Sequence, residues 1–160
     1  KYHCLLMIYH LKLELKDKET FIEMSNLFYK SIAVIKPTKP RYLNRTLKEI
    51  VADSPYIEGY VYEYDNHIAG YMLLTFTYSN ELGGNVTTID ELYVKDEFQG
   101  CGIGTEMLKF VERAYEDQKA ITLLVNEKNI PAKTLYEKKG YEEVEYLQMI
   151  KSNISDSIIK

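Results

Sequence analysis

The sequence predicts one domain of the α/β (α+β) class, with a mixed, mostly antiparallel central sheet flanked by helices. Segments in which apolar and polar residues alternate predict strands, and segments with apolar residues three or four positions apart predict helices. In the second half a strand, a helix and a strand follow one another, which implies a right-handed crossover between parallel neighbours. The predicted order is β-α-α-β-β-β-α-β-α-β over residues 1–160, a length that suits a single domain.

The first elements are a strand and two helices. Leucine alternates with charged residues over 11–16, which predicts a half-buried strand. Asp17 offers an N-cap, and apolar residues at helical spacing predict a helix over about 18–30. Two prolines make 35–40 a loop, and a second helix is predicted over about 41–53.

The middle of the chain predicts three strands. The alternation over 60–64 and the apolar segment 68–78 flank Asp65-Asn66, a turn signal, so they predict an antiparallel hairpin. A loop follows over 79–85. Residues 86–94 are rich in β-branched side chains and predict a third strand of this group.

The second half begins with a glycine-rich loop over 95–104 and a helix that runs to about residue 118. Residues 120–125 are almost wholly apolar, which predicts a strand buried on both faces. A short helix is predicted over 130–138, with Pro131 in its first turn and Gly140 as its C′ residue. Residues 141–150 predict a last strand, and 152–160 a loosely held tail.

Composition excludes several classes of protein. The chain is 46% hydrophobic and 28% charged, as in folded globular proteins, and its net charge of −4 argues against a general nucleic-acid binder. No apolar run approaches the ~20 residues of a membrane span. Two cysteines, Cys4 and Cys101, cannot form a disulfide framework, and no metal site is expected. We expect a cytoplasmic protein that binds neither membrane nor nucleic acid.

The most informative segment is Gln99-Gly100-Cys101-Gly102-Ile103-Gly104-Thr105, between a predicted strand and a predicted helix. Glycines leave the backbone N–H groups uncovered, and the helix adds its free N-terminal amides, so this loop suits a phosphate or pyrophosphate. Glycine, not lysine, precedes the threonine, which excludes a P-loop. The G-x-G-x-x-G fingerprint also fails. The spacing fits a third pattern, Q/R-x-x-G-x-G/A.

Four segments together resemble one family, the GCN5-related N-acetyltransferases (GNAT). Ile89–Val94 is similar to the family's fourth strand, and Gln99–Gly104 to its pyrophosphate loop. Asn129, Ala132 and Tyr136 have the spacing of later family positions. The segment 135–141, LYEKKGY, is similar to the family's frequent LYEKxGF. The resemblance spans about residues 10–150, and all four segments occur in the family's order.

The resemblance implies that acetyl-CoA is the donor. Leu92, Tyr93 and Val94 would offer backbone groups to the pantetheine arm as an added strand does. The pyrophosphate would lie on the loop from Gln99 to Thr105. Asn129 would hydrogen-bond the pantetheine, and Ala132 would leave room for it. In this family a bulge splays the fourth strand from the fifth, so we expect a bulge near Leu92.

Transfer of an acetyl group to an amine requires a base, an oxyanion donor and an acid for the leaving thiolate. We expect Tyr136 as the acid and the Tyr93 N–H as the oxyanion donor. Asp90, Glu91 and Glu81 are candidate bases, and because Asp90 and Glu91 are adjacent on a strand only one of those two can face the cofactor. A water chain is the remaining option. Cys101 is not expected to be catalytic, since no His/Asn partner is visible.

The acceptor is expected to be a small-molecule or peptide amine, with Tyr29, Tyr78 and Glu81 near it, because acids and aromatic rings suit a cation. A basic stretch over 36–48 points instead to an anionic part of the acceptor or to the 3′-phosphate of coenzyme A. The alternative function is a non-catalytic acyl-CoA-binding or interaction module. Exposed sheet edges in the second half favour a homodimer.

Overall fold

The computed structural model describes residues 7–153, which form one five-stranded sheet with helices on both faces. The strands are β1 (Ile8–Lys12), β2 (Ile57–Tyr64), β3 (His67–Ser79), β4 (Gly84–Val94) and β5 (Ala120–Leu123), in that spatial order. The helices are α1 (Lys18–Phe28), α2 (Pro40–Val51), α3 (Ile103–Ala114) and α4 (Ile130–Lys138). All neighbouring strands are antiparallel except β4 and β5, which are parallel. The predicted fold class is confirmed.

Two hydrophobic cores lie on opposite faces of the sheet. α1 and α2 bury Met24 and Leu47 against one face, where Tyr71 and Leu73 of β3 also point. α3 packs on the other face, together with the residues of β3 that alternate with these. Because successive side chains of a strand point to opposite faces, one strand serves both cores. The site described below therefore has an α1/α2 side and an α3/α4 side.

Two predicted turns have the expected backbone. Asp65 and Asn66, between β2 and β3, both have positive φ, 50° and 61°, as a two-residue hairpin turn requires. Gly140 has φ 88° just after α4 and so follows the helix as a C′ residue. Both positions were predicted from the sequence.

The first strand lies earlier in the chain than predicted. β1 ends at Lys12. Only one of the three alternating leucines, Leu13, is buried; Leu11 and Leu15 are 50% and 63% exposed. The backbone N–H of Glu14 donates to the Asp17 carboxylate at 2.9 Å, and a 3₁₀ turn forms there instead of strand. Asp17 is the N-cap residue of α1, as predicted.

Two predictions about the end of the sheet are wrong. β5 is not buried on both faces: Thr122 is exposed, and Leu124 beyond it is 77% exposed. No described residue pairs with its outer edge, which explains the exposure.

The strand predicted over residues 141–150 is also absent. A composition that favours strands is a local feature, whereas a strand also needs a partner. Here side-chain contacts hold the segment instead: Glu143 pairs with Lys133 of α4, and the Tyr146 hydroxyl donates to Glu81 at 3.2 Å. Of the predicted tail, Ser152 and Asn153 form neither helix nor strand, and the remainder lies outside the described residues.

Candidate active site

A bulge in β4 places one residue out of the sheet register. Leu73 of β3 pairs with Glu91, and the next residue, Leu74, pairs with Ile89. Asp90 is therefore the extra residue, opposed by none on β3. Such a bulge redirects side chains and raises the local twist. The bulge expected near Leu92 is present, at Asp90.

The same part of β4 separates from β5. The parallel pairing of the two strands ends at Ile89 with Leu123. Beyond this pair the strands diverge around a cleft of about 1100 Å³, with Asp90–Val94 on one wall and 123–126 on the other. Strand ends that lose their partner leave backbone N–H and C=O groups available to a ligand. This opening is the separation of the fourth and fifth strands that the resemblance implies.

Most of the residues predicted for the site line this one cleft. They come from α1, the diverging part of β4, the glycine loop and α4. These residues are Tyr29, Asp90, Glu91, Leu92, Tyr93, Val94, Gln99, Gly100, Gly102, Ile103, Gly104, Thr105, Asn129, Ala132 and Tyr136.

Three predicted residues lie elsewhere. Cys101 is half-buried beside Tyr64 and does not line the cleft. Tyr78 is 70% exposed near the end of β3, and Glu81 lies in the turn that follows and contacts Tyr146. The structure does not bring Tyr78 or Glu81 into the cleft, and a role for them in acceptor binding stays a prediction.

The glycine loop presents free backbone amides to the cleft. Gly102 is the N-cap of α3 with φ 84°, and Gly100 has φ 79°. The first backbone bond of the helix runs from Glu106 N to Gly102 O at 3.0 Å. The N–H groups of 103–105 thus have no acceptor within the helix and lie at its positive end. This arrangement can bind a pyrophosphate.

Different features position the two ends of this loop. The Gln99 amide donates to the carbonyl of Val94 at 3.3 Å and to Asp96 Oδ1 at 3.2 Å. At the other end, a Cβ on Gly104 would lie 3.3 Å from Leu135 Cδ2 of α4, so the absence of a side chain there lets α3 and α4 approach closely.

Glu91 is buried and fully engaged. Its Oε1 accepts a hydrogen bond from Tyr71 at 2.6 Å, and its Oε2 accepts one from Tyr29 at 2.8 Å. Burial raises the Glu91 pKa, and the two tyrosine hydroxyls offset part of that rise. The same burial and the neighbouring carboxylate raise the pKa of Tyr29 and of Tyr71. The three side chains join the C-terminal end of α1 and strand β3 to β4 at the edge of the cleft.

Asp90 has a different environment. Solvent reaches its side chain through the cleft, and its carboxylate accepts no side-chain hydrogen bond from the described residues. The surrounding protein nevertheless raises its pKa by desolvation. Of the two candidate bases on β4, Asp90 is the carboxylate with oxygens free to accept a proton.

α4 contributes the opposite wall. Asn129 is its N-cap: Oδ1 accepts from the Ala132 N–H at 3.4 Å, which leaves the side-chain NH₂ available to a ligand. Tyr136 is half-buried in the cleft, and burial raises its pKa, so the phenol keeps its proton at neutral pH. A protonated phenol is a hydrogen donor to a leaving group.

The sequence did not point to several residues at the cleft. Asn126 donates to the carbonyl of Ile32 at 2.8 Å, which links the β5–α4 loop to the α1–α2 loop. Lys36, on the latter loop, and Gln148 also line the cleft. These residues come together only through the tertiary fold. Of these residues only Lys36 belongs to a segment that the sequence singled out, the basic stretch 36–48.

Two further findings concern other classes of site. Within residues 7–153, no group of three or more His, Cys, Asp or Glu side chains is placed to hold a metal ion. Over the same residues, no helix combines the length and the apolar character needed to span a bilayer.

Comparison with known proteins gives the family. The model of the acetyltransferase (GNAT) family matches residues 20–141. The chain belongs to the GNAT family. An uncharacterized N-acetyltransferase of Methanocaldococcus jannaschii is 32% identical over 103 residues, and this match spans 62% of each chain.

Solved structures share the GNAT fold. A predicted acetyltransferase from Clostridium acetobutylicum, solved with acetyl-CoA, has a TM-score of 0.71 at 20% identity, over 90% of this chain and 96% of that one. The aminoglycoside N-acetyltransferase AAC(6')-Iy, solved with CoA, has a TM-score of 0.76 at 11% identity, over 96% and 100% of the two chains. At these identities the likeness concerns the fold.

Proposed function

We propose that this GNAT chain transfers the acetyl group of acetyl-CoA to a primary amine, by direct attack of the amine in a ternary complex. One observation carries the proposal: the free amides at the start of α3, the edge of β4 that diverges from β5, Asp90 and Tyr136 all line a single cleft. Two fold neighbours solved with CoA or acetyl-CoA support the choice of donor.

The chain's own groups would hold the donor in three places. The amides of 103–105 would bind the pyrophosphate, as helix N-termini bind anions. The backbone of Leu92–Val94 would pair with the pantetheine arm as an additional strand. The Asn129 side-chain NH₂ would donate to the same arm, and the small Ala132 would leave room for it. The donor supplies an activated thioester at the end of that arm.

Asp90 would act as the general base. It would take a proton from the ammonium of the acceptor, directly or through a water, so that the nitrogen lone pair can attack the carbonyl carbon. A raised pKa brings a carboxyl closer to the value that suits such a base. Glu91 would be a positioning residue, because both of its oxygens are occupied by tyrosine hydroxyls.

Two further groups would complete the reaction. A backbone N–H on the β5-facing edge of β4, that of Leu92 or Val94, would donate to the oxygen that gains negative charge as the carbon–nitrogen bond forms. The Tyr93 N–H expected from the sequence faces β3 instead, because the Lys95 N–H two residues on donates to Ala69 of β3 at 2.8 Å and alternate N–H groups of a strand point to the same side. When the carbon–sulfur bond breaks, the Tyr136 hydroxyl would protonate the leaving thiolate. The tyrosinate would then regain a proton from solvent.

The test is a screen of primary amines with acetyl-CoA, monitored by release of free thiol. We expect turnover with at least one amine, and calorimetric binding of CoA to the free protein. Binding of CoA without thiol release from any amine would favour the alternative, a non-catalytic acyl-CoA-binding module. Absence of binding would contradict both.

We also propose a homodimer that forms at the β5 end of the sheet. β5 has no partner on its outer side among the described residues, and an edge strand readily pairs with another chain. Apolar side chains of the nearby C-terminal segment are exposed, among them Leu147 at 93% and Met149 at 92%. Sedimentation of the wild-type chain and of Leu147→Asp tests this: we expect a dimer that the variant weakens. A wild-type monomer would contradict it.

A further inference from the structure

Some acidic and basic side chains that line the cleft have hydrogen-bond partners within the described residues, and others have none. Glu91 accepts hydrogen bonds from two tyrosines, and Asp96 accepts one from Gln99. Asp90 and Lys36 also line the cleft, and within the described part of the chain neither forms an ion pair or a side-chain hydrogen bond. A charged group with no protein partner inside a cleft can bind a ligand charge of the opposite sign.

Lys36 is the only lysine or arginine among the described residues that line the cleft. It lies on the loop between α1 and α2, the two helices that pack on one face of the sheet. The glycine loop precedes α3, which packs on the opposite face of the sheet. Lys36 therefore approaches the cleft from the side away from the amides proposed to bind the donor's pyrophosphate.

Hydrogen bonds fix the loop that carries Lys36 to the walls of the cleft. The Ile32 carbonyl accepts a hydrogen bond from Asn126 at 2.8 Å, and the consecutive residues 31–36 line the cleft. The hydrogen bond from Tyr29 to Glu91 holds the start of the loop against β4. Glu91 is the residue next to Asp90. Both attachments keep Lys36 on the α1/α2 side of the opening.

We infer that the acceptor is a zwitterion, a primary amine that also carries a carboxylate or phosphate, with its anionic group on Lys36 and its amine at Asp90. The inference rests on the proposed acetyl transfer and narrows its substrate class. A single charge-assisted contact of this kind changes affinity about ten- to a hundredfold.

The test compares acceptors that differ only in the anionic group. Amino acids with the amine α, β, γ or δ to the carboxylate, and phosphoethanolamine, are each paired with the matching amide or with ethanolamine. We expect at least one zwitterion to have kcat/KM about tenfold or more above its partner, which carries the ammonium but no anionic group. In calorimetry, the same zwitterion should bind the CoA-saturated protein more tightly than its partner does.

Variants assign the effect to Lys36. Lys36→Met should remove the preference by lowering kcat/KM for the zwitterion about ten- to a hundredfold, with little change for the amine that lacks the anionic group. Lys36→Arg should restore it. Lys48→Met is the matched control, because this exposed lysine of α2 belongs to the same basic stretch and does not line the cleft. It should behave as wild type.

Three results would overturn the inference. If amines without an anionic group are acetylated as well as their zwitterionic partners, the inference is wrong while acetyl transfer stands. Loss of acetyl-CoA affinity in Lys36→Met, with the acceptor preference intact, would assign Lys36 to a phosphate of the donor. Absence of thiol release from every amine would refute the proposed transfer itself and this inference with it.

Discussion

Replacement of Gly102 by alanine tests the glycine loop with little damage to the fold. Gly102 has φ 84°, in the left-handed region, where an alanine costs about 1–2 kcal/mol. A Cβ built at this position meets no atom within 4 Å, so no clash adds to that cost. We therefore expect Gly102→Ala to fold, with a free energy of unfolding lower by about 1–2 kcal/mol.

The same open space is the volume proposed for the pyrophosphate. Gly102 lines the cleft beside the free amides of 103–105. A methyl group there would separate the phosphate oxygens from those amides, so we expect at least a tenfold loss of acetyl-CoA affinity, which corresponds to about 1.4 kcal/mol. Isothermal calorimetry with CoA and with acetyl-CoA measures this loss.

Gly83→Ala is the matched control. Gly83 has φ 74° in the β3–β4 turn, a Cβ there also meets nothing within 4 Å, and the residue does not line the cleft. The two variants should lose similar stability in urea unfolding, and only Gly102→Ala should lose affinity. Wild-type affinity in Gly102→Ala, or equal losses of affinity in the two variants, would refute the reasoning.

Three further predictions concern the ionisable groups of the cleft. Tyr136→Phe should lower kcat about 100-fold or more with CoA affinity unchanged; equal turnover would exclude Tyr136 as the acid. Because burial raises the Asp90 pKa, kcat/KM should rise with pH through a pKa above 3.8, and Asp90→Asn should remove that limb; a variant that keeps it would assign the titration elsewhere. Burial raises the folded-state pKa of Glu91 above 4.5. Its contribution to stability is therefore fully present below pH 4.5 and falls as pH rises through the folded pKa, at most about 1.4 kcal/mol per pH unit. Glu91→Gln should lack this fall in urea unfolding, and identical pH profiles would contradict the assignment.

Local patterns predicted the helices and the central strands well. α4 was predicted over 130–138 and has those bounds, since Pro131 and Gly140 mark its ends through backbone conformation alone. The Asp65-Asn66 turn was predicted for the same reason. The loop between β4 and α3 was also identified, because its glycines and free amides are features of the local backbone.

Elements that depend on a distant partner were predicted less well. The segment 141–150 is rich in residues that favour strands but has no strand beside it among the described residues, so most of its apolar side chains stay exposed. β5 appeared buried on both faces because its composition does not show that it lies at the sheet edge. The sequence placed Asp90 and Glu91 on opposite faces but could not choose between them. The choice depends on Tyr29 and Tyr71, which are far from Glu91 in sequence and reach it only through the fold.

The central claim is that the free amides at the start of α3 bind the pyrophosphate of acetyl-CoA. Backbone amide NMR of the ¹⁵N-labelled chain, titrated with CoA, tests it at those atoms. We expect the resonances of Gly102, Ile103, Gly104 and Thr105 to shift strongly, while that of Gly83 stays in place. Saturable CoA binding that leaves those four resonances unmoved would contradict it.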